Sequence, residues 1–176
     1  MNVAGALAVY LTLYRHVHGE GVQCPFPGSD KAWRSKHTDT SSYILARFNI
    51  HVALQGDKTA GKAYNIADGE VTTWEQKWPK LCEYFDLVAG QATPNANPPE
   101  EFFDKHIQTW YELVDQKGLV QQGEPQFWFV DALFHIDFDR HYDLSAAREI
   151  GFDEKVDTIE GYIKVFDRMR ELRYIP

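Results

Sequence analysis

The segment GKAYNIADGEVTTWEQKWPKL, from Gly61 to Leu81, combines three local patterns in succession. AYNI is typical of a short strand, and Asp68–Gly69 is typical of a tight turn because glycine tolerates positive φ. Thr72 or Thr73 can cap a helix, with Glu75 or Gln76 completing a capping box. The apolar residues that follow recur at helical spacing: Trp74, Trp78, Leu81 and Phe85. The segment therefore predicts a strand, a turn and an amphipathic helix.

Helical patterns dominate on both sides of this segment. Capping residues, glycine stops and apolar periodicity predict further helices over residues 2–18, 41–54, 99–117, 124–138, 143–150 and 158–174. VQCPFPG, residues 22–28, is typical of a short extended edge, whereas residues 29–40 and 88–100 are typical of loops. The pattern predicts an α+β fold, predominantly helical, with two or three short strands in a single domain spanning residues 1–176.

Composition limits the possible partners. The net charge of −8 disfavours nucleic acid and anionic membrane surfaces, because an acidic chain repels phosphate groups. The apolar run NVAGALAVYLTLY lacks a basic segment before it and is too short for a membrane span, which needs about 20 residues. We therefore expect a buried helix in a cytoplasmic protein. Cys24 and Cys82 have no CxxC neighbours and are expected to be buried, reduced thiols.

Several segments occur together in a characteristic order: MNVAGALAVY, PFPGSDKAW, KAYNIADGEVTTWEQKWPKLCEYF, FWFVD and AREIGF. In this order the chain resembles the carboxy-terminal part of the progesterone 5β-reductase and iridoid synthase-like family of extended short-chain dehydrogenases, in its fungal form. The resemblance covers essentially the whole chain. It implies a short-chain dehydrogenase-like substrate-binding domain.

The resemblance also implies where the cofactor would bind. The family holds NADP(H) through a glycine-rich turn after its first strand and reduces with a tyrosine and a lysine, all before the region matched here. The glycines of this chain never take the GxGxxG spacing. We therefore expect a truncated domain without the dinucleotide-binding part, with no cofactor and no NADP(H) binding.

The same resemblance implies a pocket for an apolar, terpenoid- or polyketide-sized molecule. Its counterparts here are the first helix, the Trp33 loop and the aromatic stretch before Asp131. The residues expected to bind substrate are Met1, Asn2, Tyr10, Trp33, Trp128 and Phe129.

Three residues are candidates for acid–base chemistry. Asp131 and His135 are four apart and would share a helix face, where a carboxylate can orient an imidazole; an ordinary helix-face pair or a cap is the alternative. His37 lies with Trp33 and Asp39 in a loop that could face a pocket or simply the surface. The DxD motif at Asp137 and Asp139, with histidines nearby, also suggests a metal site. We expect no bound metal, because fungal relatives carry a similar sequence without being metal enzymes.

Three functions remain open from the sequence. The favoured one is a cofactor-independent, non-redox enzyme of secondary metabolism, a cyclase or pericyclase such as a Diels-Alderase, or an isomerase. The others are a non-catalytic small-molecule binding protein, and a fragment or partner subunit of an NADPH-dependent enone reductase. A homodimer is expected, because loss of the nucleotide-binding half would expose one side of the apolar first helix.

Overall fold

The computed structural model describes residues 2–93, 96–120, 123 and 125–176. Helices predominate, and they run in the order α1 (Val3–His18), α2 (Asp30–Arg34), α3 (Ser42–Gln55), α4 (Trp74–Tyr84), α5 (Pro99–Lys105), α6 (Ile107–Lys117), α7 (Phe127–Leu133), α8 (Ser145–Glu149) and α9 (Thr158–Glu171). Strand β1 (Gln23–Phe26) follows α1, and strand β2 (Val88–Ala92) follows α4.

The two strands form a parallel pair. Gln23 is opposite Val88 and Cys24 is opposite Ala89, and the register shifts before Phe26. Parallel strands need a crossover connection, which here contains α2, α3 and α4. Gly90 permits the close approach of the strands, because a Cβ there would lie 2.9 Å from Pro25 Cα.

Helix α4 fixes the strands to the core. Thr73 caps it, and a capping box with Gln76 is complete. Trp78 is fully buried and its Nε1 donates to the Cys24 carbonyl at 3.1 Å. Phe26 lies between several aromatic rings, with ring-centre distances of 5.1 Å to Trp33 and 4.7 Å to Phe134. Aromatic packing therefore joins the strands, α2 and α4 in one core.

Helix α1 is buried within the chain itself. Asn2 caps it, with its Oδ1 accepting from the Gly5 N–H at 3.2 Å. Its apolar residues from Ala4 to Leu13 are largely buried and belong to the main core. The exposed side that motivated the dimer expectation is thus not found on the described part of α1, although the dimer itself stays a prediction. No helix among the described residues is both long and apolar enough to cross a bilayer.

Five local predictions were wrong. Residues 29–40, predicted as loop, contain helix α2, and the helix predicted over residues 124–138 is found only as α7, which ends at Leu133. AYNI, residues 63–66, is not a strand; its Ile66 carbonyl accepts from the Thr40 hydroxyl instead of a neighbouring strand. Residues 88–92, predicted as loop, form β2 because β1 offers a parallel partner. The helix predicted over residues 99–117 is interrupted at His106, whose backbone N–H bonds back to Phe102 and Phe103.

The two cysteines are buried and free, as expected. Their thiols interact with each other and with the Tyr10 hydroxyl between β1, α4 and α1. Burial, together with the neighbouring Cys82, raises the pKa of the Cys24 thiol above its ordinary value. A thiol with a raised pKa is a poor nucleophile, so Cys24 is a packing element of the core.

Candidate functional site

A large cavity lies between α1, α6, α7 and α9, and we call it the α1–α9 cavity. Its volume is about 1080 Å³. Most of its wall is apolar, and the side chains concerned are Val3, Ala6, Val9, Phe103, Trp110, Val114, Phe129, Val130, Val165, Met169 and Leu172. Small-molecule sites are concave and mostly apolar with a few polar groups, and this cavity has that character.

One face of helix α9 packs in the main core, and another lines the cavity. Tyr162 and Phe166 are buried in the main core. An adjoining face lines the cavity at i, i+3, i+4, i+7 and i+8, a helical stripe: Gly161, Lys164, Val165, Arg168 and Met169. Small residues on α1, Gly5 and Ala6, lie across from this stripe.

Asp68 holds the rim of the cavity in place. Its Oδ1 accepts from the Ser41 N–H at 2.9 Å and from the Ser41 hydroxyl at 2.7 Å. Its carbonyl accepts from the Val156 N–H at 2.9 Å. Ser41 and Val156 both line the cavity. Burial raises the pKa of Asp68 above its ordinary value, while the Ser41 hydrogen bonds oppose that rise. The turn after AYNI thus joins the start of α3 to the segment before α9.

The charged groups at the cavity are largely paired. Lys164 lies 3.7 Å from Glu160, and Arg168 lies 2.8 Å from Glu171. Asp157 accepts from the Glu160 N–H at the start of α9. The remaining polar groups at the wall include the side chains of Ser42 and Gln126. Such a site favours an apolar molecule with one or two polar atoms over a highly charged one.

The structure brings two of the expected substrate-binding residues to this cavity, Asn2 and Phe129. Trp128, the neighbour of Phe129, is 53% exposed and is not among the lining residues. Trp33 is buried against Phe26 in the aromatic core. These roles in substrate binding stay predictions.

One further expected substrate residue, Tyr10, lies elsewhere. Tyr10 faces a smaller cavity of about 240 Å³, which the rings of Tyr14, His18, Phe102 and His106 also line. Met1 lies outside the described residues.

His37 is held in a buried polar cluster away from the α1–α9 cavity lining. Its backbone pairs with Thr72, and its Nδ1 lies 3.0 Å from the Ser35 carbonyl. Its Nε2 is buried without a hydrogen-bond partner among the described residues. Burial, helped by the nearby Lys77 ammonium, lowers the pKa of His37 from 6.5 to about 4. The imidazole is therefore neutral at physiological pH.

Lys77 and Asp39 form the ionic centre of this cluster. Lys77 is fully buried, and its Nζ lies 2.5 Å from Asp39 Oδ2 and 3.9 Å from the Trp74 ring centre. Burial lowers the pKa of Lys77, and the Asp39 carboxylate opposes that change. Tyr162 also packs here, and burial raises the pKa of its phenol. The arrangement ties the His37 loop to α4 and α9.

Asp131 and His135 do not form a carboxylate–imidazole pair. Helix α7 ends at Leu133, so His135 lies beyond it, and its Nδ1 contacts the Asp131 backbone carbonyl at 2.8 Å. The Asp131 carboxylate instead accepts from the Glu100 N–H at the start of α5. Burial raises the pKa of Asp131 from 3.8 to about 6. Neither residue lines the α1–α9 cavity, and their catalytic role stays a prediction, as does that of His37.

These shifts predict opposing effects of pH on stability. The pKa of His37 is lowered on folding, so its contribution is complete above pH 6.5 and is lost as pH falls through 4, by up to about 3 kcal/mol. The pKa of Asp131 is raised, so its contribution is complete below pH 3.8 and is lost as pH rises through 6.

Urea unfolding at pH 7 and pH 4.5 separates the two groups. His37→Gln should lose less stability on acidification than the parent, and Asp131→Asn should lose more. A His37→Gln variant with the parent's full acid sensitivity would show that His37 is not the group responsible.

Sequence reasoning missed the cavity face of α9. One feature of the sequence pointed to it. Gly161 interrupts a run of residues that favour a helix, and glycine in a helix is less stable than alanine by about 1 kcal/mol. A glycine inside a helix often has a packing or functional reason.

No three His, Cys, Asp or Glu side chains within the described ranges are grouped to hold a metal ion.

The described residues form a predominantly helical domain with one parallel strand pair. The chain belongs to the family of PRISE-like Rossmann-fold domains, whose model matches residues 1–176. This agrees with the resemblance seen in the sequence.

Curated relatives are similar over nearly the whole chain. Short chain dehydrogenase sirR of Leptosphaeria maculans is 35% identical over 97% of this chain and 46% of its own length. Short chain dehydrogenase ausT of Aspergillus calidoustus is 31% identical over 97% of this chain and 43% of its own length. The (S)-8-oxocitronellyl enol synthase of Catharanthus roseus is 27% identical over 100% of this chain and 45% of its own length. The chain thus spans about half the length of the curated relatives it matches.

Proposed function

We propose that these 176 residues form the substrate-binding side of a short-chain dehydrogenase-like enzyme that acts on an apolar small molecule. The observation that carries the proposal is the α1–α9 cavity, with its large volume and mainly apolar wall. Sites for small molecules typically have volumes of about 300–1,000 Å³. A terpenoid- or polyketide-like substrate of secondary metabolism matches this size and polarity.

For the chain by itself we propose non-redox chemistry, namely cyclisation, including a pericyclic reaction, or isomerisation. A wall that holds a flexible molecule in a reactive shape accelerates such reactions without a cofactor. One hydrogen-bond donor aimed at a carbonyl adds further stabilisation of the transition state. Gln126, Ser42 and Lys164 are donors at this wall. His37, Asp131 and His135 would need to act from outside it.

A second candidate is the substrate side of an NADPH-dependent enone reductase. The relatives support it, since they are about twice as long and several bear the name short chain dehydrogenase. In that case the dinucleotide would be held by residues other than these, which contain no GxGxxG. Plain binding without turnover is the third possibility.

Measurements of NADPH binding and of NADPH-dependent turnover distinguish the three candidate functions. We expect no saturable NADPH binding in the micromolar range by the 176-residue chain, measured by nicotinamide fluorescence, because no glycine-rich turn cradles the pyrophosphate. Incubation with terpenoid enals and polyenes, with and without NADPH, should show product formation that is independent of the nucleotide. Saturable NADPH binding, or turnover only with NADPH, would contradict the non-redox proposal. Ligand binding without any turnover would indicate a non-catalytic binding protein.

A further inference from the structure

The smaller cavity is separate from the α1–α9 cavity, although both are lined by α1 and α5. On α1, Tyr10 lines the smaller cavity and its neighbour Val9 lines the larger one. On α5, Phe102 and Phe103 are divided between the two cavities in the same way. Adjacent residues of a helix point about 100° apart, so the two helices form a wall between the cavities. The smaller cavity is therefore a distinct place for a second ligand.

Aromatic rings form most of the wall of the smaller cavity. The ring centre of Phe102 lies 5.6 Å from that of Tyr10 and 5.3 Å from that of Tyr14. The imidazoles of His18 and His106 lie 5.7 Å and 4.7 Å from the same ring. Rings at such distances pack favourably edge to face or offset. An apolar cavity of about 150 Å³ can hold one benzene molecule, so a volume of about 240 Å³ has room for a ring with a small substituent.

The side chains at this cavity that can carry charge near neutral pH are all basic. They are Lys105, His18 and His106, and no carboxylate belongs to the described residues of the lining. This differs from the chain as a whole, whose net charge is −8. Tyr10 and Phe102 are buried, whereas Lys105 and His18 are exposed. An apolar interior with a basic outer edge matches a ring that bears one anionic group.

The pKa of His106 is consistent with this local charge. Burial lowers it, and the positive charges of Lys105 and His18 lower it further. All three causes favour the neutral imidazole. A bound anion would act in the opposite direction, because an opposite charge within about 4–6 Å favours the charged form. Binding of an anion and protonation of His106 should therefore support each other.

We propose that the smaller cavity binds a small aromatic carboxylate, with its ring against Tyr14 and Phe102 and its carboxylate at Lys105. Aromatic walls by themselves also attract cations, but Lys105 and the two imidazoles oppose a cationic ligand. The site is additional to the α1–α9 cavity and does not depend on the function proposed for that cavity.

NMR titration of the 176-residue chain with benzoate, benzyl alcohol and benzylamine tests the proposal, since these probes are similar in shape and differ in charge. At pH 6.5 we expect benzoate to bind about tenfold more tightly than benzylamine, because the basic side chains attract one and repel the other. Benzoate should shift the imidazole signals of His18 and His106 and raise the pKa of His106. It should not shift the signals of His16, which lies on α1 outside the lining.

Lys105→Gln separates the effect of charge from that of ring packing. The Lys105 side chain is exposed, so the variant should fold, bind benzoate about fivefold more weakly and bind benzyl alcohol as the parent does. Lys117→Gln is the matched control, because Lys117 also lies in the last turn of its helix but does not line the cavity; it should behave as the parent.

Four results would overturn the proposal. The first is no binding of benzoate at about 20 mM, where a ligand with a Kd near 1 mM would be saturated. The second is binding of benzylamine as tight as that of benzoate. The third is a set of benzoate shifts that excludes His18 and His106, and the fourth is equal affinity of Lys105→Gln and Lys117→Gln for benzoate.

Discussion

Replacing Lys77 with alanine is expected to lower the free energy of unfolding by about 3 kcal/mol. The variant removes one partner of a buried ion pair and leaves Asp39 without its counter-charge, a change that typically costs about 3–5 kcal/mol. The lower end applies because the Asp39 side chain keeps 23% exposure. The contact of the ammonium with the Trp74 ring at 3.9 Å is lost as well.

A neighbouring lysine provides the control. Lys80 lies 2.9 Å from Glu83 on the same helix, but both side chains are more than half exposed, so Lys80→Ala should change stability by less than about 1 kcal/mol. Replacing Lys77 by methionine together with Asp39 by leucine should recover much of the loss, since apolar pairs can substitute for buried ion pairs. Equal urea midpoints for Lys77→Ala and Lys80→Ala would show that the pair does not stabilise the fold.

Replacing Gly161 with tryptophan is expected to weaken the binding of apolar ligands about 5- to 150-fold. Gly161 lines the α1–α9 cavity, and a Cβ there meets only Val156 at 3.6 Å, an ordinary contact. The indole can therefore enter the cavity without a clash with the backbone. A ligand must then displace it or share the space, which costs about 1–3 kcal/mol as in other overpacked sites.

Gly161→Ala separates filling of the cavity from the effect on the helix. Alanine is better than glycine within a helix by about 0.5–1 kcal/mol, so this variant should be slightly more stable than the parent and bind ligand normally. Fluorescence titration with 1-aminoanthracene, an apolar probe, measures the affinity of all three proteins. If Gly161→Trp binds the probe as tightly as Gly161→Ala, the probe does not occupy the cavity.

Local signals in the sequence were sufficient for most helices. Asn2, Thr73 and Asp157 cap α1, α4 and α9, and Thr73 is one of the two residues expected to cap α4. Caps of this kind can be read from the sequence because a capping side chain acts within three residues. Gly118 ends α6 in the left-handed conformation that glycine tolerates. The strands could not be predicted in the same way, because β2 exists only through its pairing with β1, a contact between residues more than sixty positions apart.

The candidate site depended even more on long-range contacts. Phe129 and Trp128 are adjacent and equally aromatic, yet only Phe129 lines the cavity, since the direction of each side chain depends on how α7 packs. Asp131 and His135 had the correct spacing for a helical pair, but α7 ends two residues before His135. The resemblance indicated a region that includes Asn2 and Phe129, whose role in substrate binding stays a prediction, whereas the cavity face of α9 required the packed structure.

Photoaffinity labelling tests the central claim most directly, namely that the α1–α9 cavity binds an apolar small molecule. The 176-residue chain is irradiated with a diazirine analogue of farnesol, and the adducts are located by peptide mass spectrometry. We expect adducts on residues lining the cavity, such as Phe129 and Val165, that farnesol competes away and that Gly161→Trp suppresses. Adducts confined to the smaller cavity around Tyr14 and Phe102, or adducts unchanged by Gly161→Trp, would contradict the claim.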